Sequence, residues 1–383
     1  MPSPHIQSVD LQSRRYLGNK TKLLDFIESA VLEHLPLLGV TGRPASVVDI
    51  FSGTGSVAAR FNGPDTRVLA NDLLPSNQIC LNAWLGGSEV RENRVREAAV
   101  VLVAGTAFAE DGLDTDPASG TIERKHAELV AQLLALPEDP ALEQAYGGRY
   151  FSQSTVRALA AWRARLPYVV QAFKLNQREH DVLLAGILYT ADRHAQTFGH
   201  FEAYQKRPGP GRVLSFLLPG VPTALNNTGN VILGHDATTL ASFLDCDVLY
   251  LDPPYNSRQY GAAYHVLDVL TAGVVPTVEG VARKPEYNLA WESSEYCTKS
   301  APQALDALVS KANARLIVMS YSNMEEKGDG RSNAKISGQE IEQILGKRGK
   351  VHVVGKAHKA FSTGKTDLGD HQELLYICHV GRF

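Results

Sequence analysis

Residues Asp247-Val248-Leu249-Tyr250-Leu251-Asp252-Pro253-Pro254-Tyr255 decide how this chain is read. The apolar run has the length and composition of a buried parallel strand, and it ends in an acid, two prolines and an aromatic ring. Proline cannot donate to a sheet ladder, so the strand stops there and its backbone is held open at the carboxyl end. In open α/β sheets that edge is where ligands bind. The tetrapeptide offers a carboxylate, rigid carbonyls and a stacking ring. Such a set suits a planar ring that carries an amino group: oxygens accept from the amino protons while the aromatic stacks on the ring.

Two further stretches have the same strand-then-ligand character. Ser46-Val47-Val48-Asp49-Ile50 reads as a strand, Phe51-Ser52-Gly53-Thr54-Gly55-Ser56 as a glycine-rich turn, and Val57, Ala58 and Phe61 as the start of a helix. That order brings backbone N–H groups and a helix N-terminus against a ligand, and the glycines permit positive φ. The loop is not G-x-G-x-x-G and no Lys-Ser/Thr follows it, so a phosphate-cradling P-loop is not expected. Arg67-Val68-Leu69-Ala70-Asn71-Asp72 is the next strand. Its terminal acid lies about twenty residues after the glycines, where nucleotide-binding α/β folds place a ribose ligand, or else it caps the following helix. Asn230-Val231-Ile232-Leu233-Gly234-His235-Asp236-Ala237 is a third strand ending in an acid, and Asp236 can serve as a helix N-cap. Ahead of all of these, Arg14-Arg15-Tyr16-Leu17-Gly18-Asn19-Lys20-Thr21-Lys22 is a basic entry to a helix marked by Leu23, Leu24, Ile27, Val31 and Leu35.

The Asp252-Pro253-Pro254-Tyr255 motif resembles the signature of amino-group methyltransferases acting on nucleic-acid bases, and the chain as a whole is similar to the adenine-N6 DNA methyltransferases related to the DNA adenine methylases. The cofactor motif precedes the catalytic tetrapeptide with a long insertion between them, as in that group. The resemblance implies S-adenosyl-L-methionine as cofactor. It places Tyr16 and Lys20, with Gly18 and Asn19, over the methionine end of that cofactor, and Asp49 on its amino group, directly or through water. Phe51, Gly53, Thr54, Gly55, Asp72, Leu73, Asp236 and Ala237 complete the implied cofactor site, with Asp72 on the ribose and Asp236 on the adenine amino group. Asp252, Pro253, Pro254 and Tyr255 are the implied catalytic residues. The expected substrate is double-stranded DNA with its target base flipped into the pocket, and a cognate restriction endonuclease is a candidate partner. No metal is called for.

The expected architecture is α/β: a Rossmann-like seven-stranded methyltransferase sheet with a mostly helical insertion. Residues 1–87 form the first part of the catalytic domain, 88–228 the insertion with target-recognition elements, and 229–383 the second part. Residues 1–13 read as a loose tail. Within the insertion, 91–104, 121–136, 153–173 and 177–195 carry helical periodicity, Ser152 looks like a helix cap, and Leu183, Leu184, Ile187 and Leu188 read as core. Residues 350–354 and 373–378 are joined without a helix, which suits an antiparallel pairing at the sheet edge.

The net charge of −3 excludes DNA binding by bulk charge and demands a local patch. Arg193, His194, His200, Lys206, Arg207 and Arg212, interleaved with Phe198, Phe201 and Tyr204, offer cations and stacking rings. Arg258 and Gln259 could read a phosphate or a base edge, and the loops at 274–300 and 356–370 are further candidates for DNA contact. Cys80, Cys246, Cys297 and Cys378 have neither metal-type spacing nor the look of a disulfide frame, and no apolar run is long enough to span a membrane, so a cytoplasmic protein is expected, monomeric or weakly dimeric. Asp252 favours adenine. N4-cytosine methylation, methylation of RNA or protein glutamine, and an inactive DNA-binding homologue remain the alternatives.

Overall fold

The computed structural model describes residues 6–11, 14–106, 117–207, 213–220, 226–255, 257–286, 293–322, 335–357 and 372–381. The chain folds as two compact units. One comprises Met1–Gly18, Leu74–Ala224 and Gly261–Leu289; the other comprises Asn19–Leu73, Leu225–Tyr260 and Ala290–Phe383.

The second unit holds the central sheet. Its strands are β1 (Ser46–Asp49), β2 (Arg67–Asn71), β3 (Val231–Leu233), β4 (Asp245–Leu251), β5 (Asn313–Ser322), β6 (Gly349–Ala357) and β7 (Gln372–Val380). Their order across the sheet is β6-β7-β5-β4-β1-β2-β3. The pairs β2–β3, β1–β2, β1–β4 and β4–β5 are parallel. β7 is antiparallel to both neighbours and lies one strand in from the edge, between β5 and β6. This is the seven-stranded, mostly parallel Rossmann-like sheet that the sequence leads one to expect.

The order fixes where a ligand can go. The chain runs outward from β1 through β2 to β3, then returns to β4 on the other side of β1. The carboxyl ends of β1 and β4 therefore flank the point where the winding reverses. Both faces of the sheet are covered, as buried parallel strands require. On one face Leu249, Leu251, Ile317 and Met319 pack with Leu305, Leu308, Ile341 and Leu345 from the helices Ala301–Lys311 and Gly338–Gly346. On the other, Val47, Val248, Val318 and Ile377 pack with Ile27, Val31 and Phe61 from Leu24–His34 and Ser56–Phe61.

The first unit is mostly helical, with Glu92–Val103, Gln153–Phe173 and Gln177–His194 as its longest helices wholly inside it. Ser152 caps Gln153–Phe173 by accepting from the Thr155 N–H, and Asn176 and Glu179 form a reciprocal capping box on Gln177–His194. Leu183, Leu184, Ile187 and Leu188 are all buried. The helical pattern over 121–136 is broken at His126 into Pro117–Lys125 and Ala127–Leu134.

One expectation is corrected here. Residues 6–9 are not part of a loose tail: Ile6–Val9 forms a strand parallel to Phe216–Pro219. The partner strand lies against Gln177–His194. Thr190 Oγ1 accepts from the Leu217 N–H at 2.8 Å, and a Cβ on Gly186 would stand 2.6 Å from the Phe216 ring. Glycine is required there by close approach. Val278–Glu279 and Lys284–Pro285 form a short hairpin inside the stretch read as a loop.

Candidate active site

β1 ends at Asp49, and the chain turns through Gly53 (φ 54°) and Gly55 (φ 81°) into the helix Ser56–Phe61. Both glycines occupy left-handed conformations that other residues adopt only with strain. Asp49 is buried. Its Oδ2 accepts from the Ala58 N–H at 3.1 Å, while Oδ1 is buried without a hydrogen-bond partner among the described residues. Burial, with Asp252 and Asp72 nearby, pushes its carboxyl up to about 8. At the end of β2, Asp72 Oδ2 accepts from the Gly53 N–H at 2.9 Å and so holds the loop's shape. Asn71 ties three strand ends together: its amide donates to the carbonyls of Ile50 and His235, and its Oδ1 accepts from the His235 N–H. Phe51 lies edge-on to Tyr296 at 4.9 Å, and Thr54 Oγ1 is 3.0 Å from Ser56 Oγ. Asp236 caps Ala237–Ala241 through the Thr239 N–H at 2.8 Å. The capping reading of that residue is therefore realised. Leu73 is half-buried beside Asp72.

At the end of β4, Asp252 Oδ1 lies 3.0 Å from Lys20 Nζ, and the same ammonium lies 3.1 Å from Glu373 Oε1. Glu373 Oε1 also accepts from Ser320 Oγ at 2.6 Å. One buried cation thus bridges the tetrapeptide's acid and a buried acid on β7. Burial raises the Asp252 carboxyl to about 6, opposed by Lys20 and reinforced by Glu373. Register places Asp49 beside Tyr250, so the two acids stand on adjacent strand ends. Pro253 is buried. Tyr255 is half-buried against one face of the core, edge-on to Tyr321 at 6.5 Å.

A family model described as D12 class N6 adenine-specific DNA methyltransferase matches residues 16–93 and 167–328, more than half of the chain. The chain belongs to that family. It is 25% identical over 368 residues to the type II methyltransferase M.NlaIII of Neisseria lactamica, covering 93% of this chain and 95% of that protein. It is 26% identical over 342 residues to M.FokI of Planomicrobium okeanokoites, covering 88% of this chain and 47% of that longer protein. M.CviAII of Paramecium bursaria Chlorella virus 1 is 28% identical over 234 residues, 60% of this chain and 66% of that protein. The protein is accordingly a DNA methyltransferase of the adenine-specific class.

In this methyltransferase the helical unit carries most of the other residues singled out in the sequence. Tyr16 stacks on Tyr264, with centroids 4.8 Å apart, and its hydroxyl accepts from Asn77 Nδ2 at 3.2 Å. The buried Arg14 donates to Asn77 Oδ1 at 2.8 Å and lies within 6 Å of both tyrosine rings, a cation–π arrangement. Arg193, Lys206 and Arg207 are exposed, as is Phe198, whereas Phe201 is fully buried core. In the sheet unit, Gln259 is tied down at both ends of its amide: Oε1 accepts from the Ser294 N–H and Nε2 donates to the Ser294 carbonyl. Arg258 is half-buried, and its carbonyl accepts from Cys297 Sγ. Arg212 and most of the loop at 356–370 lie outside the described residues, as do residues 287–292 of the 274–300 loop. No helix among the described residues is long and apolar enough to cross a membrane. Sequence reasoning missed Glu373, Ser320 and the stitching amide of Asn71. A carboxylate opening an otherwise apolar strand, Glu373-Leu374-Leu375-Tyr376-Ile377, was the one available signal for Glu373.

Proposed function

We propose that this methyltransferase transfers a methyl group from S-adenosyl-L-methionine to the exocyclic N6 amino group of an adenine flipped out of duplex DNA. The residues fit the cofactor. Asp49 presents a buried carboxylate oxygen, Oδ1, that accepts no hydrogen bond within normal distance among the described residues, a place for the ammonium of the methionine moiety. The left-handed Gly53 and Gly55 keep side chains out of the turn beside it. Asp72 would hold the ribose hydroxyls, with Phe51, Thr54, Leu73, Asp236 and Ala237 lining the nucleoside part and Tyr16 and Lys20 the methionine end. When bound, the cofactor supplies an electrophilic methyl on a sulfonium.

The chain's own residues do the rest. The Asp252 carboxylate and the Pro253 carbonyl accept from the two amino protons of the base. That draws the nitrogen lone pair out of conjugation and stabilises the positive charge developing on attack, and one amino proton then leaves to the Asp252 carboxylate or to solvent. Tyr255 stacks on the flipped ring, and Pro254 keeps the carbonyl before it rigid. Lys20 orients Asp252 and is itself held by Glu373. Holding the base still against the bound cofactor would supply much of the remaining rate. The observation that carries this reading is the placement of Asp49 and Asp252 on adjacent parallel strand ends at the reversal of the sheet's winding.

Arg193, Lys206 and Arg207 would meet DNA phosphates from the helical stretch 88–228, which we read as an insertion bearing the target-recognition elements. Arg258 and Gln259 are weaker candidates for DNA contact, Gln259 because its amide is engaged by Ser294. The relatives named type II methyltransferases support a role in restriction-modification, with an endonuclease of the same specificity as partner and the cytoplasm as the site of action.

The test is nucleoside mass spectrometry on unmethylated DNA incubated with the protein and S-adenosyl-L-methionine. N6-methyladenine is expected. N4-methylcytosine would overturn the target base while leaving the chemistry; no modified nucleoside across several DNA sources would overturn the activity.

A further inference from the structure

At the other end of the sheet from the tetrapeptide, three histidines converge. His34 is the last residue of the helix Leu24–His34 and is buried. His352 on β6 and His379 on β7 are half-buried. Register pairs Lys350 with His379 and His352 with Ile377, so the two strand histidines stand diagonally on one face of the sheet. Ring centroids are 4.9 Å apart for His34–His379, 5.0 Å for His352–His379 and 5.1 Å for His34–His352, and one nitrogen from each ring lies within 4.8 Å of the others. His34 Nδ1 and His379 Nε2 are 2.6 Å apart, so a single proton is shared between them. The charged groups nearest the rings are Glu33 beside His34 and Lys350 beside His379, both exposed. Burial and the neighbouring rings lower the pKa of His34 and His379, which keeps them as neutral imidazoles with lone pairs available.

We propose that His34, His352 and His379 bind a zinc ion, with solvent completing the fourth position. Three neutral imidazoles with an open fourth site suit borderline late divalent ions, whereas magnesium and calcium need oxygen donors that this cluster lacks among the described residues. When zinc binds, the proton between His34 and His379 moves to the other nitrogen of the ring that carried it, so all three imidazoles stay neutral, and the two ligating nitrogens separate to about 3.3 Å, as tetrahedral ligands at zinc–nitrogen distances require. The last carbonyls of the helix favour a cation at that end. The ion would join the same two elements that the Lys20–Glu373 ion pair joins at the active end. Lys20 precedes this helix and Glu373 is the second residue of β7, so the helix and the strand would be fastened to each other at both ends.

The test uses the full untagged chain, equilibrium dialysis against zinc chloride and thermal unfolding with and without zinc. Wild type should take up about one equivalent and melt higher with zinc, because an ion that binds only the folded state stabilises it. His352→Gln, a half-buried position on a sheet face, should keep the apo melting temperature close to wild type and weaken zinc binding at least about tenfold, the scale of losing one ligand or its support. His379→Gln serves as the second variant should the first unfold. Zinc uptake unchanged in both variants, or no saturable uptake by wild type, overturns the site.

Discussion

Lys20 Nζ lies 3.0 Å from Asp252 Oδ1, and its other carboxylate partner is Glu373 at 3.1 Å. The two neighbours act on Asp252 with opposite sign. Burial lifts its carboxyl to about 6, Lys20 pulls it down, and Glu373 pushes it up. Asp252 must be ionised to accept from the amino group of the base, so kcat/KM should fall as pH drops through about 6. Lys20→Met removes the stabilising cation and should move that acidic limb to higher pH. Glu373→Gln removes a repelling carboxylate and should move it to lower pH. The measurement is kcat/KM against pH for the three proteins on one DNA substrate. Shifts of the same sign in both variants would refute this account of the site.

Asp252→Ala should separate chemistry from cofactor binding. The truncation leaves Lys20 paired with Glu373, so no buried charge is orphaned and the fold should persist. Loss of a group that acts on developing charge costs about 10²–10³-fold or more in kcat. Calorimetric binding of S-adenosyl-L-methionine should stay close to wild type, because Asp49 and Asp72 are untouched. An active Asp252→Ala variant would sink the mechanism.

How much of this was legible beforehand depended on how local the signal was. The sheet strands quoted from the sequence were visible as apolar runs, and the glycine turn after Asp49 declared itself because left-handed φ needs glycine. Glu373 was not visible as part of the site: its partner Lys20 is separated from it by almost the whole chain, and nothing in a strand's composition says which strand end it will face. Ile6–Val9 went unrecognised for a related reason. A run of four residues with two polar ones in its middle has no periodicity to detect, and its partner Phe216–Pro219 is about two hundred residues away. The insertion of β7 between β5 and β6 likewise depends on long-range pairing, although its antiparallel sense followed from the missing crossover helix. Gln259 looked available for DNA as a polar residue beside the motif, yet both ends of its amide are engaged by Ser294.

Lys206 and Arg207 are exposed cations on a chain whose net charge is −3, so phosphate contact through them should show in the salt dependence rather than in base preference. Replacing either by Ala should weaken binding to all DNA sequences to a similar degree and reduce the slope of log K against log salt by about 1. Fluorescence anisotropy with a duplex at several salt concentrations measures this. An unchanged slope in the double variant would remove these residues from the DNA interface.

Asp49 gives the prediction with the clearest sign. Its folded pKa of about 8 stands well above the value of about 4 of an unfolded aspartate, so between these limits the folded state binds more protons. The stability it contributes is present at low pH and lost as pH rises towards 8. Asp49→Asn cannot ionise and escapes that loss. Relative to wild type, the apo variant should therefore gain about 1–3 kcal/mol in denaturant unfolding between pH 5 and pH 8.5, less than the full shift implies because real sites relax. A constant difference across that range would show that Asp49 is not held protonated. Cofactor binding should move the other way. A bound ammonium ionises Asp49, so a proton leaves on binding and wild-type affinity for S-adenosyl-L-methionine should rise from about pH 6 to about pH 7.5. Asp49→Asn should bind more weakly and without that rise. A variant that gains stability yet keeps wild-type affinity would place the ammonium elsewhere and leave the partnerless Oδ1 of Asp49 unexplained by the cofactor.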